Sequence, residues 1–125
     1  MRNSPTIDVV ITNYSENIDK INNAIISCLQ QSGSYLNNIY LLDDGSLLNP
    51  IDDSNLIKAT NVLLIKLINN VGISTARNIG INKSNADYVA CINVEIILAN
   101  DWMKYCVESF GINENIGSVF TKEIP

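Results

Sequence analysis

Short β-branched apolar runs alternate along the chain with longer stretches in which apolar residues recur every three or four positions. The run Ile7-Asp8-Val9-Val10-Ile11 predicts a buried strand. After it Ser15 offers a helix N-cap, with Glu16 and Asp19 as first-turn acids. Ile18, Ile21, Ile25, Cys28 and Leu29 repeat at helical spacing and predict an amphipathic helix over 16–31, closing near Ser32-Gly33. Ile39-Tyr40-Leu41-Leu42 predicts a second strand, and Asp43-Asp44-Gly45-Ser46 a turn. The polar stretch 47–61 predicts a short helix around 52–58, and Val62 to Ile68 a third strand. Asn69-Asn70-Val71-Gly72 reads as a loop, with a helix from Ser74 or Thr75 to about Lys83. Tyr88-Val89-Ala90-Cys91-Ile92 predicts a fourth strand and residues 100–110 a helix, and Gly117-Ser118-Val119-Phe120 opens a fifth strand.

Strands that alternate with helices in this way predict an α/β, Rossmann-like, mostly parallel sheet with helices on both faces. No repeat or linker divides the chain, so residues 1–125 are expected to form a single domain. Ligands of such sheets bind outside the carboxyl ends of the strands. That rule selects the loops 12–15, 43–46, 69–75 and 93–97, the most polar stretches that directly follow apolar strands.

Composition narrows the chemistry. With 13 acidic against 8 basic residues, a net charge of −5 and no Lys/Arg cluster, nucleic acid is excluded as a partner. No apolar run approaches the ~20 residues of a membrane span. Met1 to Pro5 lead into no apolar core of a signal peptide, so a cytoplasmic location is expected. The chain has no histidine, which excludes Ser-His-Asp and Cys-His hydrolases. Cys28, Cys91 and Cys106 lie in apolar stretches at spacings that fit neither a zinc ribbon nor a redox pair, and read as buried free thiols.

At the strand ends stand Thr12, Asn13 and Tyr14; Asp43, Asp44, Gly45 and Ser46; Asn70, Gly72, Arg77 and Asn78; and Asn93 with Glu95. An Asp accepts from a base N–H, and acids hydrogen-bond ribose hydroxyls. A carboxylate at Glu95 suits a divalent cation bridging a diphosphate. The helix start near Ser74 and the Arg77 guanidinium add positive potential for phosphate. Singly these are ordinary turn residues and surface charges. Two other sites fail: a receiver domain needs its acidic pair after the first strand, and a dinucleotide site needs a glycine-rich first turn.

Order and spacing go further. The sequence resembles the family-2 glycosyltransferases, inverting enzymes of the GT-A fold that use nucleotide sugars. Val9-Val10-Ile11-Thr12-Asn13-Tyr14 is similar to the family's opening strand and loop, with Thr12-Asn13 where Pro-Thr is usual. Ser27-Cys28-Leu29-Gln30-Gln31-Ser32 resembles its first-helix Ser-x-x-x-Gln-Thr signature. Asp43-Asp44-Gly45-Ser46 resembles its base-binding turn. The segment from Asn70 to Gly80 matches Asn-x-Gly-x-Ser-x-Ala-Arg-Asn-x-Gly nearly throughout, and Ala86-Asp87-Tyr88-Val89 stands where the family has Gly-Glu/Asp-Tyr-Ile. The resemblance covers roughly Ile7 to Val119. It implies nucleotide binding by Thr12, Tyr14, Asp43, Asp44, Gly72, Arg77, Asn78 and Asn93, and a nucleotide diphosphate sugar, UDP-sugars favoured, as donor.

Two departures qualify what it implies. Where the family carries Asp-x-Asp, this chain has Asn93-Val94-Glu95. Mn²⁺ or Mg²⁺ would be held by Glu95, more weakly than by the usual acids, because hard cations prefer several anionic oxygens. The family also continues into an acceptor-binding half whose Asp or Glu deprotonates a glycan or other hydroxyl acceptor. Past Phe120 only Glu123 is acidic, and nothing marks it as that base. The expectation is therefore a truncated GT-A fold, the donor-binding half of an inverting transferase, incomplete as an enzyme. The alternative is a non-catalytic nucleotide-sugar-binding or interaction domain with a degenerate metal motif. The apolar run Ile96-Ile97-Leu98 and Ile124 further predict self-association through surface that an acceptor half would otherwise cover.

Overall fold

The computed structural model describes residues 4–47 and 61–121. Strands β1 (Ile7–Asn13), β2 (Leu36–Asp43), β3 (Val62–Lys66) and β4 (Tyr88–Asn93) form one all-parallel sheet in the order β3-β2-β1-β4. Helices α1 (Ile18–Leu29), α2 (Ile73–Lys83) and α3 (Trp102–Phe110) complete the elements. This is the α/β sheet that the alternation predicts, with helices on both faces.

The β1 strand is central and all seven of its residues are buried, which explains its near-continuous β-branched run. Ile7, Val9 and Ile11 face a core built with Ile39 and Leu41, the α1 residues Ile21, Ala24, Ile25 and Cys28, and Met103 of α3. Val10, Tyr40 and Leu42 face the other way onto Ala76 of α2. Gly80 lets α2 lie close: a Cβ there would stand 2.6 Å from Val10 Cγ1 and 2.9 Å from its Cγ2. Asp8, fully buried near the start of this strand, accepts from Asn38 N (2.9 Å), Asn37 Nδ2 (3.0 Å) and Ser84 Oγ (2.6 Å). Its charge is satisfied by the start of β2 and the cap of α2, as a buried carboxylate requires.

Several boundaries differ from the sequence expectation. Ser15 does not cap α1; it sits at φ 55° and its N–H donates to Ser46 Oγ at 2.7 Å. Asn17 caps instead, accepting from Lys20 N at 2.9 Å, so the helix begins at Ile18 and Glu16 stays in the loop. At its far end α1 stops at Leu29, because Gln31 turns its side chain to the loop before α3. The α2 helix begins at Ile73, with Gly72 at φ 92° as its N-cap residue and no side-chain cap from Ser74 or Thr75. Strand β3 ends at Lys66, two residues early, and Ile68 is exposed.

No strand forms over 117–120. That segment runs back along α3, where Trp102 Nε1 donates to Thr121 Oγ1 at 3.0 Å, and β4 keeps a free edge among the described residues. The free edge also corrects the thiol expectation. Cys28 and Cys106 are buried, but Cys91 on β4 is exposed, since α2 covers β1 and β2 and leaves that face of β4 open. The helix expected around 52–58, and Glu123 and Ile124, lie outside the described residues. Among the described residues no helix is long and apolar enough to cross a membrane.

Candidate functional site

The chain runs from β1 outward to β2 and β3, then crosses to the other side of β1 for β4. Such a reversal leaves a crevice beyond the carboxyl ends of the two strands that flank it, here β1 and β4. Register brings those ends level: Thr12 pairs with Asn93, and Asn13 with Asp43 on β2. A cleft of about 350 Å³ opens there, lined by Thr12, Asn13, Tyr14 and Glu16, by Asp44, by Asn70, Gly72 and Ile73, and by Asn93, Val94 and Glu95. Six of the nine residues singled out in the sequence, Thr12, Tyr14, Asp44, Gly72, Asn93 and Glu95, therefore meet in one place.

The acidic turn after β2 divides its two carboxylates between different tasks. Asp43 is buried and accepts from Asn13 Nδ2 at 3.2 Å and from the Ser46 hydroxyl. It braces the β1 and β2 tips from below and does not line the cleft. Asp44 accepts from Val71 N (2.8 Å), Gly72 N (3.1 Å) and Asn70 Nδ2 (3.2 Å). The carboxylate thus holds, from a neighbouring loop, the two N–H groups that lead into α2, ahead of those an N-cap side chain reaches. Gly45 permits this contact, at φ 72° with a would-be Cβ 2.6 Å from the Asn69 carbonyl carbon and the Asn70 nitrogen.

On the opposite wall Asn93 Oδ1 accepts from Arg77 Nη2 at 2.9 Å and from Thr12 Oγ1 at 3.5 Å. Arg77 stands behind Asn93 rather than in the cleft lining, and its buried Nε has no hydrogen-bond partner. Asn78, one residue on, is exposed on α2 and away from the cleft lining. Beside Arg77 lies Cys91; burial pushes its thiol up and the guanidinium pulls it back down.

The donor set does not fit a divalent cation well. Glu95 is an exposed carboxylate on the cleft rim, but Asn93 is neutral and spends its acceptor oxygen on Thr12 and Arg77. Glu16, the other rim acid, pairs with Lys20 at 3.2 Å. Among the described residues no three acidic or thiol side chains gather into a metal-holding group.

Asn13, Glu16, Asn70, Ile73 and Val94 also line the cleft, beyond the nucleotide-binding and metal residues that the resemblance implies. Asn13 and Asn70 carried a signal, being polar residues directly after apolar strands. Glu16 reads in the sequence as a first-turn helix acid, whereas it lies in the loop before α1.

A parallel sheet of this order, with helices on both faces and a cleft at its switch point, defines a Rossmann-like α/β protein. The chain belongs to glycosyl transferase family 2, whose sequence model it matches over residues 8–123. It is similar to an uncharacterized glycosyltransferase of Haemophilus influenzae, 36% identical over 101 residues, covering 79% of this chain and 40% of that protein. It is also similar to the poly-beta-1,6-N-acetyl-D-glucosamine synthase of Staphylococcus aureus, 32% identical over 82 residues, 65% of this chain and 20% of the synthase. The chain thus spans two fifths or less of the length of these relatives.

Proposed function

We propose that the cleft binds a nucleotide diphosphate sugar and presents it for inverting transfer to an acceptor hydroxyl. The supporting observation is the convergence of Thr12, Tyr14, Asp44, Gly72, Asn93 and Glu95 at the β1–β4 switch point in a family-2 chain. In this reading Thr12, Tyr14 and the loop held by Asp44 receive the nucleoside, with Asp43 bracing the floor beneath them. Asn93 faces the diphosphate, with Arg77 behind it and Asn78 farther out on α2. UDP-sugars are the favoured donors. Any Mn²⁺ or Mg²⁺ rests on Glu95 and contributes weakly. The base that deprotonates the acceptor, a glycan or other hydroxyl compound, belongs to the part of the family's length that this chain does not span.

A second reading is favoured by Asn93 and its bond to Arg77: a donor-binding domain that does not catalyse transfer itself. Self-association is part of either reading, on a narrower surface than the run 96–98 suggests, since Ile97 is exposed but Leu98 belongs to the core. The proposed compartment is the cytoplasm.

Thermal denaturation with UDP, GDP and their sugars tests the donor reading. A ligand of the native state alone stabilises by about 2.7 kcal/mol at a hundred times its Kd. A rise in Tm with at least one nucleotide is expected. No rise with any nucleotide at millimolar concentration rejects donor binding by this chain.

A further inference from the structure

We propose that the Arg77 guanidinium takes the place of the divalent cation, so that this chain binds a nucleoside diphosphate without metal. The inference rests on the donor reading above and deepens it.

A diphosphate held in a cleft needs positive charge against it, and two sources are available at this switch point: a cation held by acids, or a side chain. The acids are inadequate: of the three carboxylates that line the cleft, Asp44 is bonded to the loop before α2 and Glu16 pairs with Lys20, which leaves Glu95, and Asn93 cannot supply negative charge. The side chain stands directly behind the cleft wall. Arg77 reaches the cleft wall through Nη2, which donates to Asn93 Oδ1 at 2.9 Å. Among the described residues no carboxylate lies within ion-pair distance of it, so its hydrogen-bond partner is neutral and its charge is uncompensated. A guanidinium offers five donors in a planar fork that matches phosphate oxygens. Here one donor is spent on Asn93 and Nε is buried, which leaves the other terminal N–H groups for a phosphate.

The asparagine is what makes this possible. An aspartate at 93 would form an ion pair with Arg77 and cancel the charge, while contributing an anionic oxygen toward a metal. The neutral amide holds the guanidinium in position without neutralising it. One atom's difference at 93 therefore moves the cleft's positive charge from a bound ion to the protein itself.

Calorimetric titration of the whole chain with UDP, GDP and the parent nucleosides, in EDTA and in millimolar Mn²⁺, tests the proposal. The expected result is the same Kd in both media, within about twofold. Arg77→Gln should weaken the diphosphate about tenfold or more while leaving the nucleoside within about twofold. Asn93→Asp should weaken the diphosphate in EDTA and recover it in Mn²⁺. Should Arg77→Gln fail to fold, the wild-type comparison and Asn93→Asp carry the test. Binding that requires Mn²⁺ in the wild type overturns the proposal and leaves the donor reading standing. Equal losses of nucleoside and diphosphate in Arg77→Gln, or an Asn93→Asp variant indifferent to Mn²⁺, also overturn it. No binding in either medium removes the donor reading, and this inference with it.

Discussion

The side chain of Gln31 accepts the backbone N–H of Met103 at 2.9 Å, fastening the end of α1 to the first turn of α3 across 72 residues of sequence. Its amide nitrogen donates to Ala99 O at 2.7 Å and to Ser27 O at 3.1 Å, so the one side chain serves three backbone groups. Ser32 N, which donates to Asn100 O at 2.8 Å, adds a fourth bond at the same junction. The contact gives the Ser-x-x-x-Gln signature a structural meaning. It closes α1 and fixes the segment that follows the cleft residue Glu95.

Gln31→Ala is expected to destabilise the fold by about 1–3 kcal/mol, since backbone groups at 99 and 103 lose their partners. Urea denaturation measures the loss. Amide exchange of Met103 should rise in step, because its partner is removed while the rest of α3 is untouched.

Gly80→Ala separates packing from helix propensity. In an open helix the change would stabilise by about 0.5–1 kcal/mol. Here the new Cβ meets both methyls of Val10, so the expected sign is reversed, at about 1–3 kcal/mol of destabilisation. The double variant Val10→Ala/Gly80→Ala should cost less than the sum of the two single changes. Additive losses would show that α2 does not bear on Val10.

The thiols should separate by reactivity and by pH. Exposed Cys91 is expected to be the first to react with a disulfide reagent at pH 8 in the native protein, with Cys28 protected until unfolding. Burial pushes the Cys28 thiol up from 9.0 to about 12. Between those values the unfolded chain has released this proton and the native chain still holds it. Stability should therefore fall as pH rises above about 9, by up to about 1.4 kcal/mol per pH unit from this group. Cys28→Val should remove that part of the slope in denaturation midpoints taken from pH 8 to 11.

The order of elements was legible because each answers to local rules. The runs at 7–11, 39–42 and 88–92 are too short for buried helices and rich in β-branched or aromatic residues, and the apolar spacing of 18–29 fits one helical stripe. Site loops were legible for the same reason: a parallel sheet directs attention to the residues after each strand. What escaped was set by partners distant in sequence. The true start of α1 depends on Ser46 taking the Ser15 N–H, and the start of α2 on a carboxylate 27 residues earlier. Nothing near Asp43 and Asp44 in the sequence shows that one lies beneath the cleft and the other on its wall. The exposure of Cys91 likewise follows from strand order, since an apolar run reads alike whether its strand is central or at an edge.

Strand order has one more consequence, and it concerns time. The first strand made, β1, lies at the centre of the sheet and pairs with β4 across 81 residues, as between Thr12 and Asn93. At about 5–20 residues per second of synthesis, roughly 4–16 s pass before that partner exists. Throughout that interval one flank of a wholly buried strand has nothing of its own to pair with. The chain's most buried segment is thus the one left waiting longest during its birth.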